Sequence, residues 1–281
     1  MNNEIIKSSL NRAIGGGLAG SLAMTTQVCS LMWLRTTMNY QYRYGTSTSY
    51  ALKTLYKDGG IPRFYRGIIP ALFQGSLARF GDTAANTGII YYLNNNPSTK
   101  DLPLPLKSAF CSLGASSWRV FIMPIDTLKT SLQVDGKKGI NILKKKINTN
   151  SPRVLYNGAI AASSASFIGH YPWFFTFNYL NEYLPNGKNK LENLARNGFI
   201  GFSSSLISDT CSNSIRVIKT IKQTHKKNIS YHKVVNEIVA KDGIKGLFFR
   251  GLKTRILANG LQSSMFSITW KYFEKEIGSI F

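Results

Sequence analysis

A charged motif that occurs three times constrains the fold of this chain more than any other feature. Residues 124–129 carry the complete copy, Pro-Ile-Asp-Thr-Leu-Lys, and Gln133 follows it. The two eroded copies keep only the final base, Arg35 in the first and Arg216 in the third, 94 residues before and 87 residues after Lys129. Glycines at positions 20, 114 and 201 have the same separations. The motif therefore divides the chain into similar units.

A second repeated mark supports the same division. An aromatic residue, a basic or polar residue and a glycine recur at 65–67, 156–158 and 249–251, with glycines 91 and 93 residues apart. Two marks in one register define three units of about 90 residues, and self-similarity at a fixed period indicates a repeat architecture. The predicted units are approximately residues 8–98, 102–187 and 190–281, within a single domain that covers 1–281.

The chain is strongly basic, with 35 Lys and Arg residues against 13 Asp and Glu residues. Such an excess is typical of nucleic-acid binding or of the loops that flank membrane helices. The basic residues here crowd into short segments, such as 137–146 and 222–227, between long stretches that are poor in charge. This distribution favours a membrane protein over a soluble protein that binds nucleic acid, and no nucleic-acid partner is expected.

Six apolar stretches alternate with these basic segments, and each is long enough to cross a bilayer as a helix. They cover residues 10–36, 67–94, 104–132, 158–184, 193–220 and 251–276. Each also contains Ser, Thr, Asn or Gln, and membrane helices accommodate polar side chains where these face a water-filled cavity. The pattern predicts an all-α membrane protein with six transmembrane helices in three pseudo-repeats around a central cavity.

Short amphipathic helices are expected between the two spans of each unit, over about 46–57, 137–148 and 230–241, lying along one membrane face. The Ser and Thr residues at 46–49 and Ser230 are expected to cap the first and third of these helices, and the glycines at 59–60 and 243 to form turns after them. No metal or other cofactor is expected, because Cys29, Cys111 and Cys211 lie in different apolar stretches without metal-ligand spacing. The sequence also lacks a phosphate-binding glycine loop and a paired nucleophile and base. The chain is therefore not expected to be an enzyme.

The three units resemble the mitochondrial carrier family along almost the whole chain. The family motif opens with Pro-x-[Asp/Glu]-x-x-[Lys/Arg] at the end of each odd helix, and residues 124–129 match this part fully. Its second half has an Asp-Gly pair followed by an aromatic residue, a base and a glycine, and residues 58–67 and 242–251 match it. The resemblance implies a monomeric carrier of the mitochondrial inner membrane, with its short helices on the matrix side, that alternates between two open states. We expect a small anionic metabolite, a carboxylate or a nucleotide, as substrate; the alternative is a non-transporting receptor or scaffold.

The resemblance also implies a gate at the cavity floor, where the base of one unit meets the acid of the preceding unit. The expected gate residues are Arg35, Asp126, Lys129 and Arg216. Asp126 would pair with Arg216. Lys129 would lack an acid because Met32 stands in the acid position, and Arg35 would lack one because Asn213 does. We therefore expect a weak gate and a floor that attracts anions.

The prolines missing from two copies of the motif predict a second departure from the family. Ser30 and Cys211 stand in the proline positions of the first and third units. Proline kinks a helix because it lacks an N–H group and its ring clashes with the preceding turn. The odd helices of these two units are therefore expected to bend less reliably.

Substrate contacts are expected on the helices above the gate. By the resemblance and by residue chemistry, the candidates are Thr25, Gln74, Arg79, Asp82, Arg119, Ser166, Asp209 and Asn259. Arg119 is the strongest, because an outward-facing cation would meet lipid and a guanidinium fits carboxylate or phosphate. Its alternative is a permanent ion pair, with Asp209 as partner; Asp209 could instead accept an amino group or a proton. Arg79 and Asp82 share one helix side and could instead neutralise each other.

The sequence also suggests lipid-binding residues and a role for one histidine. Arg66 with Gly67, and Arg250 with Gly251, resemble the cardiolipin-binding ends of the family, where helix N-termini attract phosphate. His170 is expected to be a structural histidine, with a role in proton coupling as the alternative.

Overall fold

A computed structural model describes residues 24–262 and residue 265, and this part of the chain is helical, without a β-strand. The helices are α1 (24–44), α2 (Thr48–Phe64), α3 (Ile68–Asn95), α4 (Leu104–Phe121), α5 (Met123–Asp135), α6 (Lys137–Asn150), α7 (Ala159–Tyr183), α8 (Lys190–Thr224), α9 (Tyr231–Phe249) and α10 (252–262). A short 3-10 helix, Pro152–Tyr156, joins α6 to α7. The portion 10–23 of the first predicted stretch, which includes the glycine at position 20, and the portions 263–264 and 266–276 of the last one lie outside the described residues.

The long helices form a ring around a central cavity. α3 packs on α4 and α5, α4 packs on α7, and α7 packs on α8. α1 closes the ring, since Val28 and Met32 pack against Ala71 of α3 and Leu34 packs against Ala258 of α10. Over the described ranges, no single helix combines the length and apolar character of a membrane span. The all-helical class is confirmed, whereas the six membrane spans stay a prediction.

The proline of the complete motif breaks the odd helix of the second unit. α4 and α5 separate at Ile122, two residues before Pro124, because the proline ring excludes the carbonyl of the preceding turn. α8 runs without a break past Cys211, and α1 runs without a break past Ser30. The two units without proline therefore keep an unbroken odd helix over the described residues, while their reduced bending stays a prediction.

Three shorter helices, α2, α6 and α9, connect the two long helices of each unit. Ser47 and Ser230 cap α2 and α9, each accepting a hydrogen bond at 3.3 Å from the backbone N–H three residues later. Both helices turn at predicted glycines, Gly60 with φ 62° and Gly243 with φ 67°, a backbone conformation that glycine adopts without strain. The predicted caps and turns are confirmed, although both helices continue past the turn, α2 to Phe64 and α9 to Phe249.

Candidate functional site

The ring encloses a cavity of about 350 Å³, and side chains from all three units line it. Among the described residues, its basic lining side chains are Arg35, Arg79, Arg119, Lys129, Arg216, Lys219 and Arg255, and its acidic ones are Asp82 and Asp126. Seven bases against two acids give the cavity a positive potential, because a cleft lined by one charge sign focuses its field. Such a site attracts anions.

Asp126 is the centre of the ionic network in this cavity. The predicted gate residues Arg35, Asp126, Lys129 and Arg216 all line the cavity. We refer to the part of the cavity that they line as its floor. The Asp126 carboxylate is almost fully buried and pairs with Lys129 Nζ at 2.8 Å and Lys219 Nζ at 2.5 Å. Gln223 Nε2 donates to Asp126 Oδ2 at 2.9 Å. The network ties α5 of the second unit to α8 of the third.

The structure corrects the predicted pairing of Asp126 with Arg216. Lys219, three residues further along α8, is the base of the third unit that meets Asp126. One sequence signal could have identified it: Gln223 follows Lys219 at the same spacing as Gln133 follows Lys129. The third copy of the motif therefore lies three residues later than the glycine at position 201 suggests, with its base 90 residues after Lys129.

Arg35 and Arg216 contact only uncharged partners among the described residues. Arg35 Nη2 donates to Gln262 Oε1 at 3.1 Å and lies 3.9 Å from Met24 Sδ. Arg216 Nε donates to Ser212 Oγ at 3.1 Å. The expectation that Lys129 lacks an acid is wrong, because Lys129 pairs with Asp126 of its own helix at 2.8 Å.

Asn213 does not face Arg35 and instead fastens α8 to the end of α9. Its amide Nδ2 donates to the carbonyls of Phe248 at 2.7 Å and Arg250 at 3.1 Å, and its Oδ1 accepts from Tyr42 Oη at 3.0 Å. Both polar atoms of the buried Asn213 side chain therefore have hydrogen-bond partners within the protein, so this asparagine has a structural role.

Arg119 forms an ion pair with Asp82 across the interface between α4 and α3. The partner considered from the sequence, Asp209, is therefore not its partner. Asp82 also attracts Arg79 on its own helix, in agreement with the alternative considered from the sequence, and Arg79 lines the same cavity. Arg119 and Asp82 are each about one quarter exposed, so an anion in the cavity can reach the guanidinium.

Asp209 belongs to a second ion pair, which joins α8 to α10. Arg255 Nε donates to Asp209 Oδ1 at 2.7 Å, and Asn259 Nδ2 donates to Asp209 Oδ2. The sequence indicated Asp209 and Asn259 but missed Arg255. Its position, four residues after the repeated Gly251 and inside an apolar stretch, was the available signal.

The remaining substrate candidates, Gln74, Ser166 and Thr25, do not all line the same cavity. Gln74 lines the main cavity, where its Oε1 accepts from Lys129 Nζ at 3.0 Å. Ser166 lines a smaller adjoining cavity of about 130 Å³ and donates to the Ala162 carbonyl at 3.1 Å. Thr25 is exposed and lies within hydrogen-bonding distance, 3.4 Å, of Ser76 Oγ.

His170 and the predicted lipid-binding residues all have partners within the protein. His170 Nδ1 lies 3.2 Å from Ser112 Oγ, beside the smaller cavity. Arg66 Nη1 lies 3.7 Å from Asp58, and the buried Arg250 holds Asp242 at 2.7 Å. Gly67 and Gly251 take the left-handed conformation, with φ of 86° and 64°. Lipid binding at these positions stays a prediction.

A ring of helices from three repeats around a charged cavity defines the class of solute carriers. The family model described as "Mitochondrial carrier protein" matches residues 7–95, 103–188 and 190–279. A curated relative from Dictyostelium discoideum, "Mitochondrial substrate carrier family protein S", is 25% identical over 229 residues, covering 75% of this chain and 79% of the relative. This chain belongs to the mitochondrial carrier family, whose members transport small molecules across the mitochondrial inner membrane.

Proposed function

We propose that this protein carries a small anionic metabolite, a carboxylate or a nucleotide, across the mitochondrial inner membrane by alternating access. The observation that carries the proposal is the excess of seven basic over two acidic side chains on the described wall of the main cavity. Such a wall attracts anions and repels cations. The small-molecule substrate of the family is therefore assigned to the anionic class.

The gate in this proposal is the Asp126 network, supported by uncharged contacts. Lys219 connects the second and third units through Asp126. The first and second units are connected at the same level by a hydrogen bond from Asn39 Nδ2 to Gln133 Oε1 at 2.6 Å. Opening the gate costs these interactions, and a bound substrate offsets that cost where it stabilises the intermediate conformations more than the closed one.

Replacing Arg119 tests the proposed substrate contact. Because Arg119 lines both cavities, we expect Arg119→Ala to abolish the rise in thermal unfolding temperature that anions give to the purified protein. The measurement is an unfolding curve in detergent, with and without each anion, at constant ionic strength. A shift equal to that of the unchanged protein would remove Arg119 from the site.

Asp82 provides the matched control, since Arg119→Ala also leaves this carboxylate without its partner. Asp82→Asn removes an acid that competes with the substrate for Arg119, so this variant should keep its response to anions. In the double variant no carboxylate is left without its partner, yet the response should remain absent. A response restored in the double variant would show that the single change acted through the unpaired acid.

Transport itself separates the carrier from the alternative of a receptor or scaffold. The full chain should stay with the membrane fraction after alkaline carbonate extraction and should exchange labelled carboxylates or nucleotides in liposomes. Membrane retention without exchange of any anion would favour the scaffold. Release by carbonate would contradict the membrane assignment.

The proposal includes a monomer and a lipid contact of the cardiolipin type. The partly exposed Arg66 side chain beside Gly67, at the N-terminus of α3, supports a phosphate contact there. Arg250 is a weaker candidate, because it is buried against Asp242.

A further inference from the structure

The smaller cavity of about 130 Å³ lies where the odd helix of the second unit breaks, and it adjoins the main cavity. Ile122, at the break, and Met123, the first residue of α5, line it. The part of its wall that α7 contributes consists of small side chains and one histidine, namely Ala162, Ala165, Ser166, Gly169 and His170. The side chains that line both cavities are Gln74, Arg119, Asp126, Arg216 and Lys219. The smaller cavity is therefore a side chamber of the main one.

The side chamber is basic, and its bases lie close together. Arg119, Arg216 and Lys219 line it, and the charge of Arg216 interacts with the charges of the other two. Arg119 is held by Asp82, and Lys219 is held by Asp126. A substrate anion would therefore have to compete with a protein carboxylate at these two bases.

Arg216 is the base of the side chamber that is open to a substrate. Within the described residues its guanidinium forms no ion pair and donates to Ser212 Oγ at 3.1 Å. Asp209 attracts it, but this carboxylate is already bound by Arg255 at 2.7 Å and by Asn259. The planar fork of a guanidinium matches the two oxygens of one carboxylate. Arg216 can therefore hold one carboxylate group in the chamber.

A second guanidinium without an acidic partner, that of Arg35, lies outside the side chamber. Arg35 lines the main cavity, and the charges that act on it in the described part of the chain are those of Arg79 and Arg255. Its guanidinium donates to the uncharged Gln262 Oε1 at 3.1 Å. Because Arg216 is not among the charges that act on Arg35, the two guanidiniums are separate positions, and each can hold its own carboxylate.

The size and spacing of these positions limit what can occupy both. Sites that enclose a whole drug-sized ligand measure about 300–1,000 Å³. The main cavity, at about 350 Å³, lies at the lower end of this range, and the side chamber lies below it. The chamber therefore holds one end group of a substrate. Arg255 interacts with both Arg35 and Arg216, so the two positions flank one residue and a short molecule can connect them.

We infer that the substrate is a short dicarboxylate, with one carboxylate at Arg216 in the side chamber and the other at Arg35 in the main cavity. This inference rests on the proposed carrier function and chooses between the two classes of anion that it leaves open. A dicarboxylate supplies an anionic group to both guanidiniums. A nucleotide carries its charge at one end and an uncharged base at the other, and a monocarboxylate would satisfy one guanidinium only.

A series of acids tests the two positions. Purified full-length protein is titrated with butyrate, with malonate, succinate, glutarate or adipate, and with AMP, and the unfolding temperature is measured at constant ionic strength and at a pH where every carboxylate is ionised. The best dicarboxylate should give a half-maximal shift at a concentration about tenfold lower than butyrate, since it forms one more charge-assisted contact. Among the dicarboxylates, this concentration should be lowest at an intermediate chain length. No dependence on the second carboxylate or on chain length would contradict the inference.

Removal of either guanidinium should abolish the advantage of the second carboxylate. In Arg216→Gln and in Arg35→Gln, the half-maximal concentration of the best dicarboxylate should rise about tenfold and approach that of butyrate. Butyrate can use the remaining guanidinium and should change much less. A purely structural role would weaken the response to both acids alike. Arg153→Gln, an exposed change of the same charge outside both cavities, should leave every titration unchanged.

Filling the side chamber tests its role without changing a charge. Ala162→Leu places a larger apolar side chain in the chamber and should raise the half-maximal concentration of the best dicarboxylate about tenfold, because one carboxylate loses its place. Butyrate should still bind at Arg35. Ala240→Leu makes the same change at an exposed position of α9 and should have no effect. If the two leucine variants responded alike to dicarboxylates, the substrate would not occupy the chamber.

The outcomes distinguish this inference from the proposed function. If AMP stabilises the protein and no dicarboxylate does, the dicarboxylate assignment is wrong while an anion carrier remains. If the dicarboxylates stabilise both glutamine variants as they stabilise the unchanged protein, Arg35 and Arg216 do not hold the two ends. If no anion stabilises the protein and liposomes show no anion exchange, the proposed function fails with the inference.

Discussion

Asp126→Asn is expected to lower the stability of the folded protein by about 3–5 kcal/mol, the typical cost of leaving buried charge without its partner. The carboxylate is 6% exposed and holds the ammonium groups of Lys129 and Lys219. Asparagine has nearly the same shape and can still accept from Gln223, so the change removes charge rather than volume. Two neighbouring lysines would then repel each other in a largely buried site.

The measurement is the thermal unfolding midpoint in detergent, followed by circular dichroism. A loss of this size corresponds to a fall of about 10 °C for a protein of this length. Asp101→Asn makes the same chemical change at an exposed position and should leave the midpoint unchanged. If the two variants unfolded at the same temperature, Asp126 would not be the energetic centre of the floor.

A charge exchange identifies the partner of Asp126. Asp126→Lys alone should destabilise the protein further, because it places a third ammonium group beside Lys129 and Lys219. Adding Lys219→Asp should recover most of the loss, since opposite charges again face each other between α5 and α8. Adding Arg216→Asp instead should recover less. Equal recovery from both second changes would contradict the assignment of Lys219 as the base of the third unit.

The architecture could be predicted from the sequence because it depends on local signals. Pro124 breaks its helix, whereas α8 continues through Cys211 and Ser214, because proline lacks the N–H group that these two residues keep. Ser47 and Ser230 begin α2 and α9, and the predicted glycines turn them, for equally local reasons. Such features need only the few residues on either side.

The pairing of charges could be predicted only in part, because it depends on how helices rotate against each other. The repeat correctly indicated that Arg35, Asp126, Lys129 and Arg216 share one cavity. It misplaced the third base by one helical turn, since the glycine spacing in that unit points to Arg216 and the glutamine spacing points to Lys219. The contacts of Asp209 with Arg255, and of Arg119 with Asp82, join different helices, and no spacing within one helix determines them.

The interface between the first and second units gives the other large expected effect, for Gly81→Ala. A Cβ atom on Gly81 would overlap the indole ring of Trp118. The ring cannot easily move away, because its Nε1 donates to the Leu77 carbonyl at 2.7 Å and its face stacks on Phe121 at 5.2 Å. Overpacking of this kind costs about 3 kcal/mol. The unfolding midpoint should fall accordingly.

Gly198→Ala makes the identical change inside α8 and should have the opposite sign. A Cβ atom there meets no atom of the described residues within 4 Å, so the substitution only reduces the conformational entropy of the unfolded chain and should stabilise by about 0.5–1 kcal/mol. Effects of opposite sign from one substitution, made in two helices and measured in one assay, would locate the close contact between α3 and α4. Equal effects would mean that α3 and α4 lie further apart than the contact between Gly81 and the indole ring requires. Arg119, the residue after Trp118, would then lack the packing that positions it against Asp82.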